Sequence, residues 1–454
     1  MLLNNFSFYK YIRPTWYFNR APNFGETPYW VDYRKLDSHH QDLITYDTSY
    51  SCDEASLWDA AFQAWQKGIL MHDGGLSLAN SDRKPSVYDN YKFVKKYFNP
   101  AWLIYILVMR IFSFKNPIKE IVGFFKALNV KRENIYQVHE EHRGYNNYKA
   151  EIVTEKPTVS VILPTLNRYS YLKDAIEDLG KQEIKPLEII VIDQTDDPDK
   201  AFYDQFDQLP LKLIFQDQKG QWLARNRAIQ MSEGDYILMF DDDSRIDPDW
   251  VTEHLKALEY FKADISAGVS LSTVGAAIPE NYSYFRWADQ FDSGNALIKR
   301  EVFEKVGLFD RQYDGQRMGD GEFGMRAYLA GYLSISHPYA KRIHLKVPVG
   351  GLRQMGSWDG FRPKKLFAPR PIPSVLFLFR KYFGKRLAIL SLMNSVPPSI
   401  IPYKFKRNRI MLFFGALLSI LILPIVFIQV MKSWKLSSVM IKEGDRIESL
   451  DPRK

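Results

Sequence analysis

The sequence predicts an α/β fold whose central part is a mostly parallel sheet with helices on both faces. Four short apolar runs between residues 158 and 240 indicate buried strands: "TVSVILPT", "LEIIVIDQT", "LKLIFQD" and "DYILMF". Amphipathic segments after the first, third and fourth runs indicate helices: "YLKDAIEDLGKQ", "WLARNRAIQMS" and "DPDWVTEHLKALEYF". Continuous apolar strands that alternate with helices are typical of a parallel sheet. Such sheets bind ligands at the carboxyl ends of their strands.

The chain is long enough for two or three domains. It has 454 residues, of which 46% are hydrophobic and 25% charged, and a formal net charge of +8. These values are those of a globular protein that can bury a core. Cys52 is the only cysteine, which excludes an internal disulfide and favours a reducing compartment. We divide the sequence into an N-terminal accessory region (1–155), an α/β domain (156–355), a basic amphipathic region (356–409), an apolar segment (410–431) and a polar tail (432–454).

The N-terminal region is rich in aromatic residues, with five tryptophans spread over its first 102 positions. It contains one apolar run, "AWLIYILVM" at 101–109, which is too short to cross a membrane. In the following "RIFSFKNPIKEIVGFFKAL", basic residues alternate with Phe, Ile and Leu. This mixture suits a helix at a membrane surface, and equally an amphipathic helix packed on the next domain. The tryptophans could bind an acceptor or merely brace the α/β domain, and the sequence does not decide.

The segment 410–431, "IMLFFGALLSILILPIVFIQVM", carries no charge and is long enough for a transmembrane helix. Pro424 could kink it, so a re-entrant or in-plane arrangement is the alternative. More basic residues precede the segment than follow it, which predicts that the preceding domains lie on the cytoplasmic side. The stretch 341–386 is also basic, with interleaved aromatic residues. Because it precedes the apolar segment, anionic headgroups or a lipid-linked phosphate acceptor explain it better than nucleic acid.

Three consecutive aspartates, Asp241, Asp242 and Asp243, follow the fourth predicted strand in "DYILMFDDDSRIDPDW". Like charges so close together repel one another. An aspartate pair or triplet at a strand end suits Mg²⁺ or Mn²⁺, which take one or two carboxylates and fill their other positions with water and phosphate oxygens. The sequence therefore predicts a divalent metal ion that offsets the repulsion and binds a phosphorylated substrate.

The ordered motifs "VSVILPTLNR", "IIVIDQTDD", "ARNRAI", "LMFDDDSRIDPDW" and "GNALIKREVFEKVGLFD" resemble glycosyltransferase family 2 over roughly residues 158–350. The resemblance implies the GT-A fold and a nucleotide-diphosphate sugar as the donor substrate. It implies that the aspartate triplet occupies the family's DxD position, where Asp243 and Asp241 bind the metal and Asp242 approaches the ribose. It also implies that the other nucleotide-binding positions are Pro164, Thr165, Arg168, Asp193 and Arg225.

On the acceptor side, "MGDGEFGMRAYLAG" resembles the family motif that carries the catalytic base. The resemblance assigns this role to Asp320 or Glu322, with Asp320 preferred, because a carboxylate must take the proton of the acceptor hydroxyl. The family's first Glu is replaced by Gly319. By the same likeness His344 completes the metal shell. Gly350 and Gly351 beside Arg353 predict a flexible loop that closes over the diphosphate, which a guanidinium group can bind in a bidentate way.

These inferences predict a membrane-associated, metal-dependent glycosyltransferase that moves a sugar, with inversion, to an acceptor hydroxyl in polysaccharide or glycolipid assembly. Two alternatives remain open. A nucleotidyltransferase that makes an activated sugar would need a Gly-rich, Lys-bearing loop after the first strand, and "PTLNRYSY" does not supply one. A non-catalytic membrane subunit that binds nucleotide sugars is the other alternative, and the replacement at Gly319 would suit it.

Overall fold

The computed structural model describes residues 2–23, 29–72, 75–76, 84–272, 278–345, 347, 360–363, 365–402, 405 and 408–452. The chain forms two compact units. The first consists of Met1–Glu141 with Tyr382–Ser395, and the second of His142–Lys381 with Val396–Lys454. Each unit has its own hydrophobic core, as expected of a separate domain.

The first unit is helical and is built around aromatic side chains. Its helices are α1 (Leu2–Asn5), α2 (Ser38–Asp42), α3 (Asp53–Gln66), α4 (Val87–Tyr97), α5 (Ala101–Phe112) and α6 (Pro117–Leu128). Trp16, Trp30, Trp58 and Trp65 are all buried, and their rings pack edge to face or tilted against one another and against neighbouring phenylalanines. These four tryptophans therefore form the core of this unit and present no binding surface for an acceptor.

The second unit contains one mixed sheet. Its strands are β1 (Val159–Thr165), β2 (Glu188–Asp193), β3 (Leu211–Phe215), β4 (Tyr236–Phe240), β5 (Ser244–Ile246), β6 (Ile265–Ser272), β7 (Arg286–Trp287), β8 (Asn295–Lys299) and β9 (Ser334–His344). They pair in the order β3-β2-β1-β4-β8-β6-β9-β5, with β7 also on β9. The strands β3, β2, β1 and β4 are parallel, whereas β8 joins β4 and β6 in antiparallel orientation.

Helices cover this sheet and continue beyond it. They are α7 (Gly144–Asn147), α8 (Glu151–Thr154), α9 (Tyr169–Gly180), α10 (Gln221–Met231), α11 (Trp250–Tyr260), α12 (Arg300–Val306), α13 (Gly319–Ala330), α14 (Pro373–Ser395), α15 (Arg409–Leu421) and α16 (Leu423–Glu443). Gly384, with φ 77°, interrupts α14, whose residues from Tyr382 onward belong to the first unit.

The four predicted strands and the three helices that accompany them are confirmed within one to three residues at most ends. The strands are largely apolar because both faces of the sheet are covered: all residues of β1 and β2 are buried. Thr165 at the end of β1 lies opposite Asp193 at the end of β2. β4, which is parallel to β1, ends at Phe240, directly before the aspartate triplet. The polar strand ends therefore meet at one edge of the sheet, where the ligand site was predicted.

The apolar segment 410–431 is not one straight helix. It breaks at Ile422, two residues before Pro424, and α15 and α16 are bent by 89° at this break. Among the described helices, none is by itself long and apolar enough to cross a membrane, whereas α15 and α16 together satisfy both conditions. The position of Pro424 in the first turn of α16 agrees with the break, since proline is well tolerated there and disrupts the interior of a helix.

The C-terminal tail packs against the sheet domain of the second unit instead of extending into solvent. The Leu308 N–H donates to the Glu448 carbonyl at 2.8 Å, and the Arg446 N–H donates to Asp310 Oδ1 at 3.0 Å. Leu450 is buried in the same apolar cluster as Phe309. Although its composition is polar, the tail is therefore docked on the second unit and returns the chain to the sheet after α16.

Candidate active site

The site lies at the carboxyl edge of β1, β2 and β4. Four carboxylates meet here, and we call them the acidic cluster: Asp241, Asp242, Asp243 and Asp292. Three guanidinium groups contact them, and we call these the arginine set: Arg168, Arg225 and Arg342. Ion pairing with arginine therefore offsets the repulsion within the triplet in the protein itself, without an added ion.

Asp241 lies between two arginines. Its Oδ1 accepts a hydrogen bond from Arg225 Nη2, and its Oδ2 accepts one from Arg342 Nη1 at 2.8 Å. Burial opposes its ionisation, but Arg342 and Arg225 outweigh burial and hold the pKa of this carboxyl below its ordinary value. Both oxygens of Asp241 are thus engaged by arginines, which leaves it less suited to bind a metal than Asp243.

Arg342 joins Asp241 to Asp292. Its Nη2 lies 3.0 Å from Asp292 Oδ2, and its Nε donates to Ser270 Oγ at 2.7 Å. Gly294 permits this approach: a Cβ at this position would lie 2.2 Å from both Arg342 Nη1 and Asp241 Oδ2. The glycine in "DSGNALIKR" is therefore required by the close contact between an arginine and an aspartate.

Asp242 points toward the first strand. Its Oδ2 accepts a hydrogen bond from Thr165 Oγ1 at 2.7 Å, and its Oδ1 accepts one from Arg168 Nη1 at 2.9 Å. Burial raises the pKa of Asp242 to about 6, although Arg168 acts in the opposite direction. Thr165 and Arg168, both predicted to lie beside the nucleotide, are therefore in direct contact with the triplet. Pro164 precedes Thr165 in β1, opposite Ile192.

Asp243 and His344 face each other. His344 Nε2 lies 3.3 Å from Asp243 Oδ1, and Arg168 Nη1 lies 3.1 Å from Asp243 Oδ2. Burial opposes ionisation of Asp243, but His344 and Arg168 lower the pKa of this carboxyl. Among the described residues, no group of three or more His, Cys, Asp or Glu side chains is placed to hold a metal ion. The Asp243–His344 pair would supply one oxygen and one nitrogen ligand, a set that suits Mn²⁺ better than the oxygen-preferring Mg²⁺, with phosphate oxygens and water at the other positions.

Asp193 lies at the end of β2 and is buried. Its Oδ2 accepts hydrogen bonds from the hydroxyls of Tyr169 and Tyr203, at 2.7 and 2.9 Å, and its Oδ1 accepts the Thr195 N–H at 3.0 Å. Burial and Asp193 together raise the pKa of Tyr169 to about 12, so this phenol stays a donor. The two tyrosines hold Oδ2 of Asp193, whereas Oδ1, which accepts the Thr195 N–H, keeps a lone pair for a further donor.

Trp222 explains why glycine occupies position 319. A Cβ on Gly319 would lie 2.3 Å from Trp222 Cε2 and 2.6 Å from its Nε1. Trp222 is buried, and its Nε1–H donates to the Tyr313 carbonyl at 3.2 Å. The Arg225 guanidinium lies over the same indole, 5.5 Å from its centroid. The indole therefore occupies the space beside Gly319, so the missing Glu reflects close packing and is not by itself a sign of lost catalysis.

Asp320 and Glu322 are two positions apart in sequence but differ in their surroundings. Glu322 is fully buried and is held by Arg326 Nε, at 2.9 Å from both oxygens, and by Lys381 Nζ at 3.1 Å. Asp320 is half-buried in the first turn of α13, where its Oδ1 accepts the Gly321 N–H at 2.8 Å. Burial lowers the pKa of Arg225, with Asp241 and Asp320 acting in the opposite direction, so the Asp320 charge reaches the site. The surroundings favour Asp320 over Glu322 as a base.

The structure thus brings together most of the predicted site residues. Thr165, Arg168, Arg225 and the triplet with His344 form one contact network, and Asp193 lies at the neighbouring strand end. Arg353, with Gly350 and Gly351, lies outside the described residues. Sequence reasoning missed Arg342, Asp292 and Trp222. Arg342 lies two residues before His344, but nothing local signals a contact with Asp241, which is 101 residues away.

Comparison with known proteins gives the same family. Residues 160–307 match the family described as "Glycosyl transferase family 2". The glycosyltransferase GlyA of Streptococcus pneumoniae is 26% identical over 163 residues, which cover 35% of this chain and 22% of that protein. The uncharacterized glycosyltransferase YwdF of Bacillus subtilis is 24% identical over 185 residues, covering 37% of this chain and 67% of that protein.

A search of solved structures matches the crystal structure of S. aureus TarS 1-349 in complex with UDP-GlcNAc, at 15% identity and a TM-score of 0.42. The match covers 57% of this chain and 79% of that one. The segment shared with the pneumococcal protein spans less than a quarter of that protein. The family match and the mixed α/β sheet confirm the predicted fold class, and the chain carries a family 2 glycosyltransferase domain of the GT-A fold.

Proposed function

We propose that this chain transfers a sugar from a nucleotide-diphosphate donor to an acceptor hydroxyl, with a divalent metal ion and inversion at the anomeric carbon. One observation carries the proposal. The acidic cluster and the Asp243–His344 pair stand at one edge of the sheet, beside the residues 160–307 that match the family 2 glycosyltransferases, and the Asp320 charge acts on Arg225 of the arginine set. Neither alternative, a nucleotidyltransferase or a subunit without turnover, is favoured by a feature of this site.

The residues would divide the reaction between donor and acceptor. Asp193 Oδ1 would accept a base N–H, Asp242 a ribose hydroxyl, and Arg168 and Arg225 would face the negatively charged donor. Asp243 and His344 would hold the metal ion, which supplies Lewis-acid stabilisation of the departing nucleoside diphosphate. Asp320 would take the proton of the acceptor hydroxyl while its oxygen attacks the anomeric carbon. Attack opposite the leaving group inverts that carbon. Arg326 and Lys381 hold Glu322 in ion pairs, which leaves Asp320 as the better placed of the two candidate bases.

The test is nucleotide release from a panel of nucleotide sugars, with and without Mn²⁺, by the full-length protein. Asp320→Asn should lower the rate by about 100-fold or more, the usual contribution of a general base, and leave donor affinity unchanged. Glu301→Gln, an exposed acidic residue of α12, is the matched control and should keep the wild-type rate. Release that persists in Asp320→Asn refutes the assigned base, and no release from any donor refutes the proposed function.

The metal is tested separately by binding. Asp243→Asn and His344→Gln should each weaken the Mn²⁺-dependent part of nucleoside diphosphate affinity, measured by calorimetry. Binding in the absence of metal should change less, because both variants keep the arginine set. If Mn²⁺ has no effect on affinity in the wild-type chain, the metal site is wrong while the transferase proposal stands.

Association with a membrane through α15 and α16 is the second part of the proposal. α15 buries its small residues Gly415 and Ser419 and exposes large apolar side chains, among them Ile410, Phe413, Phe414 and Leu421. The chain enters α15 from the second unit and returns to the same unit through the docked tail. Both ends of the bent pair thus belong to one folded unit. This supports a re-entrant or in-plane insertion over a helix that crosses the bilayer.

Two cysteine variants test this topology in a chain whose only native cysteine is replaced, Cys52→Ser. Arg409→Cys and Asp451→Cys are exposed positions before and after the bent pair. In inverted and right-side-out membrane vesicles, a membrane-impermeant maleimide should react with both positions from the same side, the cytoplasmic one. Reaction from opposite sides would refute the re-entrant arrangement, and recovery of the protein in the soluble fraction would refute membrane association.

A further inference from the structure

The helix α6 of the first unit has an unusual distribution of side chains. It buries Glu120, Gly123 and Ala127, which are charged or small, and it exposes its large apolar residues. The exposed side chains are Ile118, Ile121, Val122, Phe125 and Leu128. An ordinary surface helix does the reverse, because its apolar stripe faces the core. The apolar face of α6 therefore points away from the protein, which is unfavourable for a helix whose outer face contacts water.

The buried stripe is small because α6 lies close to α4. A Cβ on Gly123 would come within 3.0 Å of Val87 Cγ1 and 3.3 Å of a Tyr91 ring carbon. Tyr91 also donates a hydrogen bond from its hydroxyl to Glu120 Oε2 at 3.1 Å. The orientation of α6 is thus fixed by close packing and by a buried polar contact. Its apolar face points outward as a consequence of this packing.

The preceding helix continues the exposed apolar surface. α5 buries Leu103 and Ile106 and exposes Ile104, Val108 and Ile111. Phe112, the last residue of α5, is 78% exposed, and Phe114, in the turn toward α6, is 96% exposed. On a soluble protein, exposed apolar residues are normally scattered singly. A contiguous patch of this extent marks an interaction site. We call the surface formed by these residues and the exposed apolar face of α6 the apolar hairpin.

The charges around the apolar hairpin have one sign. Lys115, Lys119 and Lys126 are exposed within it, and Lys131 and Arg132 are exposed directly after it. The one acidic residue between 101 and 132 is Glu120, which is buried and held by Arg110 Nη2. No exposed carboxylate therefore lies in this part of the described chain. Exposed lysines next to large apolar side chains are the pattern of helices that lie in an anionic membrane interface.

We propose that the apolar hairpin inserts its exposed apolar face into the surface of an anionic bilayer, as a membrane contact of the first unit separate from α15 and α16. The 12 residues of α5 are too few to cross the ~30 Å hydrocarbon core, so the hairpin lies in the interface. The lysines contact lipid phosphates, while Phe112, Phe114 and Phe125 enter the acyl boundary. The inference is independent of the proposed transferase activity, because it concerns a different unit and a different surface.

The experiment uses a fluorescent probe in the full-length protein. Cys52→Ser removes the native thiol at an N-cap position that serine suits, and Phe125→Cys carries an environment-sensitive dye. Vesicles of phosphatidylglycerol and phosphatidylcholine in equal amounts should shift the emission to the blue, and brominated acyl chains should quench it. Asp42→Cys, at an exposed position of α2, is the matched control and should show neither effect.

The charge dependence gives the second readout. Vesicles of phosphatidylcholine alone should bind the probe site more weakly, and each of Lys119→Gln and Lys126→Gln should weaken insertion about fivefold, equivalent to ~1 kcal/mol for a lysine at an anionic surface. Circular dichroism confirms that each variant is folded. An unchanged, unquenched probe with both vesicle types overturns the proposal. A blue shift that needs no vesicles and grows with protein concentration also overturns it and assigns the surface to a second copy of the chain.

Discussion

Replacing Gly319 by alanine should destabilise the protein, although alanine is ordinarily the better helix former. In a helix, Gly→Ala gains up to ~1 kcal/mol. Here the new Cβ would lie 2.3 Å from Trp222 Cε2, more than 1 Å inside the ~3.5–4.0 Å of an optimal carbon contact. The indole cannot move freely because it is buried and hydrogen-bonded to Tyr313. Overpacking of this kind costs about 1–3 kcal/mol, so the net change is a loss of up to ~2 kcal/mol.

The assay compares the change in Tm caused by Gly319→Ala with that caused by the same substitution at a control glycine. Gly180→Ala, at the end of α9, would meet a Leu209 methyl at 3.1 Å, which can move, and should leave Tm nearly unchanged. Trp222→Phe removes the indole atoms that clash, so Gly319→Ala should be much less destabilising in that background. A rise in Tm on Gly319→Ala in the wild-type background would refute the packing explanation for the missing Glu.

Three further predictions follow from buried groups. Arg342→Met leaves Asp241 and Asp292 without their shared partner and should destabilise the protein by about 3–5 kcal/mol, measured by denaturant unfolding. Leu450→Ala should cost about 2–5 kcal/mol, because the tail fills the core there; an unchanged Tm would show that the tail is not docked. Burial lowers the pKa of His254 to about 4 from an ordinary value of 6.5, so its stabilising effect is present above pH 6.5 and lost as pH falls toward 4. At pH 5 the loss is about 2 kcal/mol, and His254→Gln should show a correspondingly flatter dependence of Tm on pH.

The sheet was predictable because its signal is local. Continuous apolar runs such as "IIVID" are compatible with burial on both faces, and the alternation with helices fixes a parallel arrangement. The carboxyl ends of parallel strands necessarily share an edge, which brought Thr165, Asp193 and the triplet together without any knowledge of distances. Asp320 and His344 were placed by resemblance, and their roles remain predictions.

What the sequence did not predict depends on contacts between distant positions. Arg342 pairs with Asp241 across 101 residues, and Trp222 meets Gly319 across a similar separation. The helix α6 is apolar and basic in a way that fits either a packed or an exposed face, and the presence of α4 beside Gly123 decides between them. The docking of the polar tail on the sheet was not predicted, because only one leucine, Leu450, marks its buried part.

The pairing of the acidic cluster with the arginine set bears on the order in which ligands enter and leave. When all seven groups are ionised, they leave one net negative charge. A divalent cation alone would invert that charge, and a donor diphosphate alone would deepen it, whereas the two together leave it unchanged. In the proposed reaction, electrostatics would therefore favour uptake of the cation and the sugar nucleotide as a neutral pair. After transfer, the nucleoside diphosphate would carry a further negative charge, which would upset this balance and promote its departure.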